Sequence, residues 1–406
     1  MERYDRRMVT APNWMQDFTC IAGECTETCC QQWNIDVDPV HAECYTHLGD
    51  PELQSIMNNL LHRFHIRRPG MRKPELQYRF LLLSQAENRC PLLNTNGECR
   101  LQKKYGAGIL CDTCYFHPRT FWQIDDQIGL SACLSCPECA RLALIHSEPT
   151  IFTKFMTEID PNAEWLETAL IPAPDTRSLM QNRNLLIQII CDILQNRGIN
   201  FEQRIVRAKA FLAKLGEKSK HNTEDIRIAL QEAMSEPLAE VEATDPADLM
   251  AAYLEVFNHI SEGIEKPAQG ISLFTQSLAG GREGFIRLLA ANYEKGWQLA
   301  APFFSDKEYL IENFIVHCVF SDSFKQFHRC QNEMLSPKEV LQHESSLLEI
   351  WYLFFRVLMS QASLSAGGMT EDLFLQTVIY ADKTFWHYPD WFARCADRFS
   401  AYTAGN

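Results

Sequence analysis

The feature that most restricts this chain is where its thiols lie. Of sixteen cysteines, twelve fall before residue 140, at positions 20, 25, 29, 30, 44, 90, 99, 111, 114, 133, 136 and 139. The other four, Cys191, Cys318, Cys330 and Cys395, are scattered over the remaining two-thirds. A free cysteine ordinarily behaves as a small buried hydrophobe. That accounts for the scattered four and for Cys44, but not for a dozen in one third of the chain. The start, "MERYDRRMVTAPNWMQDF", lacks the apolar segment of a secretory signal, so a cytoplasmic location is expected. Thiols stay reduced there, and dense cysteine spacing points to metal or redox chemistry rather than disulfides.

The spacings are C-x4-C-x3-C-C at 20–30, C-x8-C at 90–99, C-x2-C at 111–114 and C-x2-C-x2-C at 133–139. A structural zinc ion takes four Cys or His ligands, usually in close pairs. No segment has the paired histidines of a zinc finger, although Cys111 and Cys114 would serve half a ribbon. An iron–sulfur cluster takes three or four thiolates and tolerates irregular spacing. The run 133–139 begins like a bacterial ferredoxin but lacks the fourth cysteine of that motif. "CTETCC" also departs from the C-x3-C-x2-C of common radical S-adenosylmethionine enzymes, because its third cysteine comes too early. Spacing therefore implies metal binding and leaves zinc and iron–sulfur both open.

The asymmetry divides the molecule. Residues 1–145 read as a cysteine-rich metal-binding module with little β structure, and 146–406 as an all-helical region with a loop near 235–246, so the fold class is mainly α. In the module, "WNIDVD" (33–38) alternates like a short strand, and 39–64 reads as helical. "NTNG" (94–97) forms a turn, 119–133 is extended or a hairpin, and a helix opens near Pro137. Beyond it, amphipathic periodicity predicts helices at 182–197, 200–215, 245–264, 307–324, 344–362 and 369–385. The net charge of −14 argues against nucleic-acid and anionic-membrane partners. The basic stretch at 62–73 reads first as a solvated, mobile segment and second as a docking patch for an acidic partner. No apolar run approaches the roughly 18–20 residues of a membrane span; the strongest, "WYLFFRVLM" (351–359), is short and carries Arg356.

Four segments in order, "FTCIAGECTETCCQQWNIDVD", "CPLLNTNGECRLQ", "CDTCYFHPR" and "LSCPECARL", resemble the flagellin lysine N-methylase family, within a wider group with a zinc- or iron-chelating cysteine-cluster domain. The later "YLIENFIVHCVFSDSF" is similar to that family's helical segment, so the resemblance spans most of the chain. Carried over by position, the framework cysteines are Cys20, Cys25, Cys29, Cys30, Cys90, Cys99, Cys114 and Cys136. Trp33, Pro118, Arg119, Pro137, Glu138 and Arg141 match as well. Cys44, Cys111, Cys133 and Cys139 stand outside that framework and read as packing residues or spares. "CYFHPR" departs from the family's "CRTYPR" by losing an arginine and bringing in His117. The resemblance implies an enzyme that methylates surface lysines of flagellin, with S-adenosylmethionine as donor and a [4Fe–4S] cluster, zinc being the alternative metal.

Such chemistry needs a neutral amine. An unperturbed lysine has a pKa of about 10.4, so only about one in a few thousand is neutral at pH 7, and a desolvated channel would lower that value. Tyr45, Asp36, Asp38, Glu138 and the aromatic group at 384–392 are candidate proton acceptors, although each taken singly reads first as structural and none is selected. The glycine clusters "YGAGIL" (105–110) and "LAGGREG" (278–284) follow no convincing strand and read as helix or loop connections, so a Rossmann-type donor site is not expected. The competing function is a zinc-stabilised, non-enzymatic adaptor whose helices bind partners.

Overall fold

The computed structural model describes residues 4–25, 27–31, 33–66, 75–124, 127–160, 176–237, 281–324 and 336–383, together with Ala396. The fold is mainly α and separates into two units. The first comprises Met1–Trp122, Ile128–Leu142 and Phe152–Glu164; the second comprises Gln123–Gln127, Ala143–Ile151 and Trp165–Asn406.

The first unit carries more β structure than its sequence suggests. Its strands are β1 (Arg6–Pro12), β2 (Ile35–Val37), β3 (Leu61–Ile66), β4 (Glu75–Phe80), β5 (Arg119–Ile124), β6 (Gln127–Ala132) and β7 (Phe152–Glu158). Its helices are short: α1 (Pro39–Tyr45), α2 (Pro51–Leu60), α3 (Arg100–Tyr105), α4 (Asp112–Phe116) and α5 (Pro137–Leu144). One sheet has the order β5-β6-β1-β7. In it β1 runs parallel to β6, with Thr10 opposite Gly129, and antiparallel to β7 from Arg6/Glu158 to Pro12/Phe152. Parallel neighbours need a long crossover. Here that crossover contains the second sheet, β2-β4-β3, and most of the thiol-bearing loops. β7 lies beyond residue 145, so the region after that point is not wholly helical. Neither of its faces is cleanly buried, so it lacks the period-two pattern that marks a half-buried strand.

The stretch 39–64 is two helices and a strand rather than one helical run. Asp38 and Asp50 cap α1 and α2 by accepting from the backbone N–H of His41 (3.0 Å) and Leu53 (2.9 Å), and a proline follows each cap. From Leu61 the chain extends as β3, paired with β4. Residues 62–66 of the basic stretch are therefore strand; residues 67–73 lie outside the described residues. Tyr45, Leu53, Met57, Leu60 and Phe80 form an apolar core together with Cys90 and Cys111, each large side chain contributing about 1.5–3 kcal/mol by leaving water.

The second unit contains α6 (Arg177–Gln181), α7 (Arg183–Leu194), α8 (Phe201–Gly216), α9 (Thr223–Ser235), α10 (Gly281–Phe304), α11 (Glu308–Asp322), α12 (Pro337–Ala366) and α13 (Glu371–Ala381). Helices α7, α8, α11, α12 and α13 thus fall at the predicted stretches 182–197, 200–215, 307–324, 344–362 and 369–385, of which 384–385 lie outside the described residues, as does the whole stretch 245–264. Of the loop near 235–246, only the end of α9 and residues 236–237 are described.

α11 is buried on every side from Leu310 to Ser321. α12 opens with a capping box between Ser336 and Glu339 and ends at Gly367 in the left-handed conformation. It is long and apolar enough to cross a membrane by length and composition, which corrects the reading of 351–359 as too short. Most of its apolar window is buried inside the unit, where it packs against α8, α10, α11 and α13.

The core of this unit holds an ionic knot. Glu312, fully buried, accepts from Arg197 Nε and Nη2 at 3.0 and 2.8 Å and from Arg204 Nη1 at 2.8 Å. Arg204 also reaches Glu308 and the carbonyls of Leu194 and Ile199.

Candidate thiol-lined metal site

The double cysteine is fixed by backbone contacts between distant loops. Cys90 N–H donates to the Cys30 carbonyl at 2.8 Å, and Gln31 and Arg89 form an isolated bridge beside it. After Cys90 the chain reverses at "NTNG", as expected: the Asn94 side-chain oxygen accepts from the N–H groups of Asn96 and Glu98, both at 2.9 Å. A bridge between Leu93 and Cys99 closes the turn. This turn rests directly on the Cys20–Cys25 loop. A Cβ on Gly23 would sit 2.1 Å from the Asn96 carbonyl, and one on Gly97, where φ is +77°, 3.2 Å from Gly23 Cα. Only glycine at both places lets the two loops meet. A third loop brings Cys111 and Cys114, with Thr113 donating to the Asp36 carbonyl at 2.7 Å.

These loops enclose a cavity of about 340 Å³. Six of the eight framework cysteines line it: Cys20, Cys29, Cys30, Cys90, Cys99 and Cys114. Phe18, Ile35, Phe80 and Leu92 supply apolar wall, and Tyr45, His117 and Arg119 complete it. All of the described cysteines are free thiols. Cys25 is not on this wall; its thiol donates to the Glu27 carbonyl at 3.3 Å. Cys136 is absent from the wall too, although its charge acts on Cys29.

The thiols interact in pairs. Cys29 donates its S–H to Cys30, which draws Cys30 down to about 7 against the opposing effect of burial, with help from Thr28 and the Arg89 guanidinium. Cys29 is pushed far up by that same hydrogen bond, then by burial and by Cys30, Cys136 and Cys20. Cys139 likewise donates to Cys136, which falls to about 7. Cys114 donates to Cys111, and the bond and burial raise it strongly. Burial takes Cys90 up to about 12 and also raises Cys99. Without metal, these groups hold protons that a bound cation would replace, so metal affinity rises with pH.

The donor set fits a soft metal centre. Thiolates suit zinc and iron–sulfur clusters, and an apolar wall strengthens their electrostatic attraction to a cation. One zinc ion draws four sulfurs to about 2.3 Å. Six thiols around 340 Å³ leave room for a larger inorganic core.

Three neighbours had been set aside from sequence. Cys111, fully buried, belongs to the apolar cluster that contains Cys30, Cys90, Cys99 and Cys114. Cys139 is fully buried and bonded to Cys136, and Cys133 is half-buried beside them. The C-x2-C spacings 111/114 and 136/139 already signalled those partnerships. Arg89, beside Cys30, left no signal. Cys191 and Cys318 are buried as expected, whereas Cys44 is exposed on α1 and does not act as a packing residue. Cys330 and Cys395 lie outside the described residues.

Most candidate proton acceptors are committed elsewhere. Tyr45 borders the cavity, but its O–H donates to the Ile109 carbonyl at 2.7 Å, and burial, then Cys111 and Cys114, hold its pKa far above the usual phenol value. Asp36 pairs with Arg79, and Glu138 with Arg141. Asp38 binds the His41 ring at 2.6 Å and accepts from Asp112 N–H at 3.0 Å. Burial disfavours its charge, but these bonds outweigh burial and keep its pKa well below the carboxylate range. The group at 384–392 lies outside the described residues. Residues 105–110 are a helix end and a short 3-10 turn, and 281–284 open α10, so the first glycine cluster follows a helix rather than a strand; residues 278–280 are not among those described.

Residues 188–404 match the sequence model of the FliB lysine N-methylase C-terminal domain. The flagellar biosynthetic protein FliU of Salmonella muenchen is 28% identical over 131 residues, which are 32% of this chain and 73% of that protein. Lysine-N-methylases of Salmonella choleraesuis (strain SC-B67) and Salmonella typhimurium (strain LT2) are each 24% identical over 190 residues, 47% of this chain and 43% of theirs. The match therefore spans under half the length of those two relatives. No solved structure matches the chain.

Proposed function

The chain belongs to the FliB lysine N-methylase family, and from that premise we propose that it methylates lysine ε-amino groups of flagellin with S-adenosylmethionine as donor. An iron–sulfur cluster of the [4Fe–4S] type would occupy the thiol-lined cavity, with zinc as the competing metal. The observation that carries this reading is the convergence of six framework thiols on one cavity larger than a lone ion needs. Cys29, Cys30, Cys90, Cys99 and Cys114 are the ligands in the half-buried or buried wall, and Cys20 the one at its exposed rim. Cys111 stands next to them as the hydrogen-bond partner of Cys114, and the charge of Cys136 acts on Cys29. Such a cluster, when bound, supplies a Lewis-acidic iron or one electron.

The chain's own residues contribute desolvation and position. An apolar wall that excludes water lowers the pKa of a lysine held at the cavity's edge, and the freed lone pair forms the new N–C bond to the donor methyl as the S–C bond breaks and S-adenosylhomocysteine leaves. A proton must leave that amine, and with Tyr45 and Asp38 engaged as described, neither serves as its acceptor.

The test is methyl transfer. Oxygen-free protein reconstituted with iron and sulfide, then incubated with flagellin and isotopically labelled S-adenosylmethionine, is expected to add labelled methyl groups to lysine, read by mass spectrometry. An iron-loaded, folded protein that transfers none would overturn the proposal. Colourless zinc-loaded protein that binds partners without transfer would favour the adaptor instead.

A further inference from the structure

Beside the thiol-lined cavity lies a second one, of about 320 Å³, with a different chemistry. It is lined by Arg6, Tyr115, Phe116, Arg119, Glu158 and two neighbours on β7, Met156 and Thr157. Tyr115 and Arg119 border both cavities. We propose that this polar cavity binds an α-amino-carboxylate, with Arg6 and Arg119 on the carboxylate and Glu158 on the ammonium.

The charges are present but do not neutralise one another. Arg6 and Glu158 are direct partners across the β1/β7 ladder, a placement in which opposite charges normally pair. Arg6 instead donates weakly to the Met156 carbonyl, at 3.4 Å. Glu158 accepts from the Tyr115 hydroxyl at 2.6 Å, and that bond, with burial, raises the Tyr115 pKa. Arg119 has only a long contact to the Tyr115 carbonyl, 3.5 Å, and lies over the Phe18 ring at 5.3 Å. Among the described residues, neither guanidinium makes an ion pair within 4.0 Å.

Two guanidiniums and one carboxylate around one polar space match a zwitterion. A simple anion would satisfy the arginines and be repelled by Glu158; a simple cation would meet the reverse. Charge-assisted, bidentate contacts of Arg with carboxylate are among the stronger polar interactions. Met156 and Phe116 add apolar contact of the kind an aliphatic amino-acid side chain needs. This inference rests on the proposed donor, because the methionyl end of S-adenosylmethionine is an α-amino-carboxylate; a free amino acid offers the same group.

The experiment is titration calorimetry on iron-reconstituted full-length protein. Its ligands are S-adenosylmethionine, its decarboxylated analogue, free lysine and inorganic phosphate. The variants are Glu158→Gln, Arg6→Met and the conservative Arg6→Lys. We expect S-adenosylmethionine binding to weaken about tenfold or more in Glu158→Gln and Arg6→Met, with partial rescue in Arg6→Lys and in each case unchanged iron content and visible absorbance. The decarboxylated analogue should lose a similar factor in the unaltered protein. Affinities within twofold of the unaltered protein in both variants would overturn the proposal. So would phosphate binding that is lost in Arg6→Met but indifferent to Glu158→Gln, which marks an anion site. Lysine binding that depends on these side chains, without S-adenosylmethionine binding, keeps the zwitterion site and removes the donor assignment. Binding of S-adenosylmethionine through them with no transfer to flagellin keeps the site and removes the methylase reading.

Discussion

In the first unit the elements are short, from the three residues of β2 to the ten of α2, and are joined by loops that carry thiols. In the second, α10 and α12 run for 24 and 30 residues, and whole helix faces disappear into apolar contact. Among the described residues, the helical unit packs Leu, Phe and Trp side chains around a buried glutamate that two arginines satisfy. The thiol-bearing unit instead leaves a cavity at its centre, ringed by groups that repel one another once deprotonated. Among the described residues, the contrast is between a core packed from side chains and one that surrounds a thiol-lined cavity.

That contrast breaks most readily at the proposed metal site. Stripping iron or zinc from oxygen-free protein with a chelator should expose the first unit to protease while the helical unit stays resistant. Structural metal sites contribute about 10 kcal/mol or more to small folds. Limited proteolysis with mass mapping reads this out, and equal resistance of both units after stripping would erase the distinction.

The second unit has its own single point of failure. Glu312→Ala strands the buried Arg204 charge and removes two bonds from Arg197, at a cost of about 3–5 kcal/mol. Thermal unfolding followed at the helical signal should fall markedly, with metal content of the folded protein unchanged. A small shift would mean that Glu308 and the two carbonyls suffice for Arg204. The mildest change is Ser336→Ala, which removes one half of the capping box on α12 and should cost about 1 kcal/mol. Urea titration checks it; a much larger loss would show that the start of α12 holds more than its own first turn.

How far the sequence reached differs in the same way between the units. Amphipathic periodicity found most described long helices because a buried face of several turns leaves a repeated signal. It located α12 but undersized it, since apolar residues continue on both sides of "WYLFFRVLM" and neighbouring helices cover them. Strands were the weak point. β1 and β7 pair along seven residues, yet "RRMVTAP" and "FTKFMTE" show no strict alternation. From sequence, 39–64 reads as one helical stretch that passes over the Asp-Pro caps at Asp38 and Asp50, and the switch from α2 to β3 left no signal because Leu61 could extend either element. At the site, the framework cysteines were legible as a set. Their distribution was not: six share a wall, while Cys25 and Cys136 do not line it.

By itself the sequence determined that the thiols concentrate in the first third of the chain and that most of the long helices lie beyond it, because residue type and local spacing record both. Only the tertiary structure decided which thiols face one another and that a charged cavity lies beside them. Cys30, Cys90 and Cys114 meet across gaps of tens of residues, and Arg6 meets Arg119 and Glu158 across more than a hundred. Such meetings depend on a parallel β1–β6 crossover and on two glycines pressed together, contacts that no local pattern encodes.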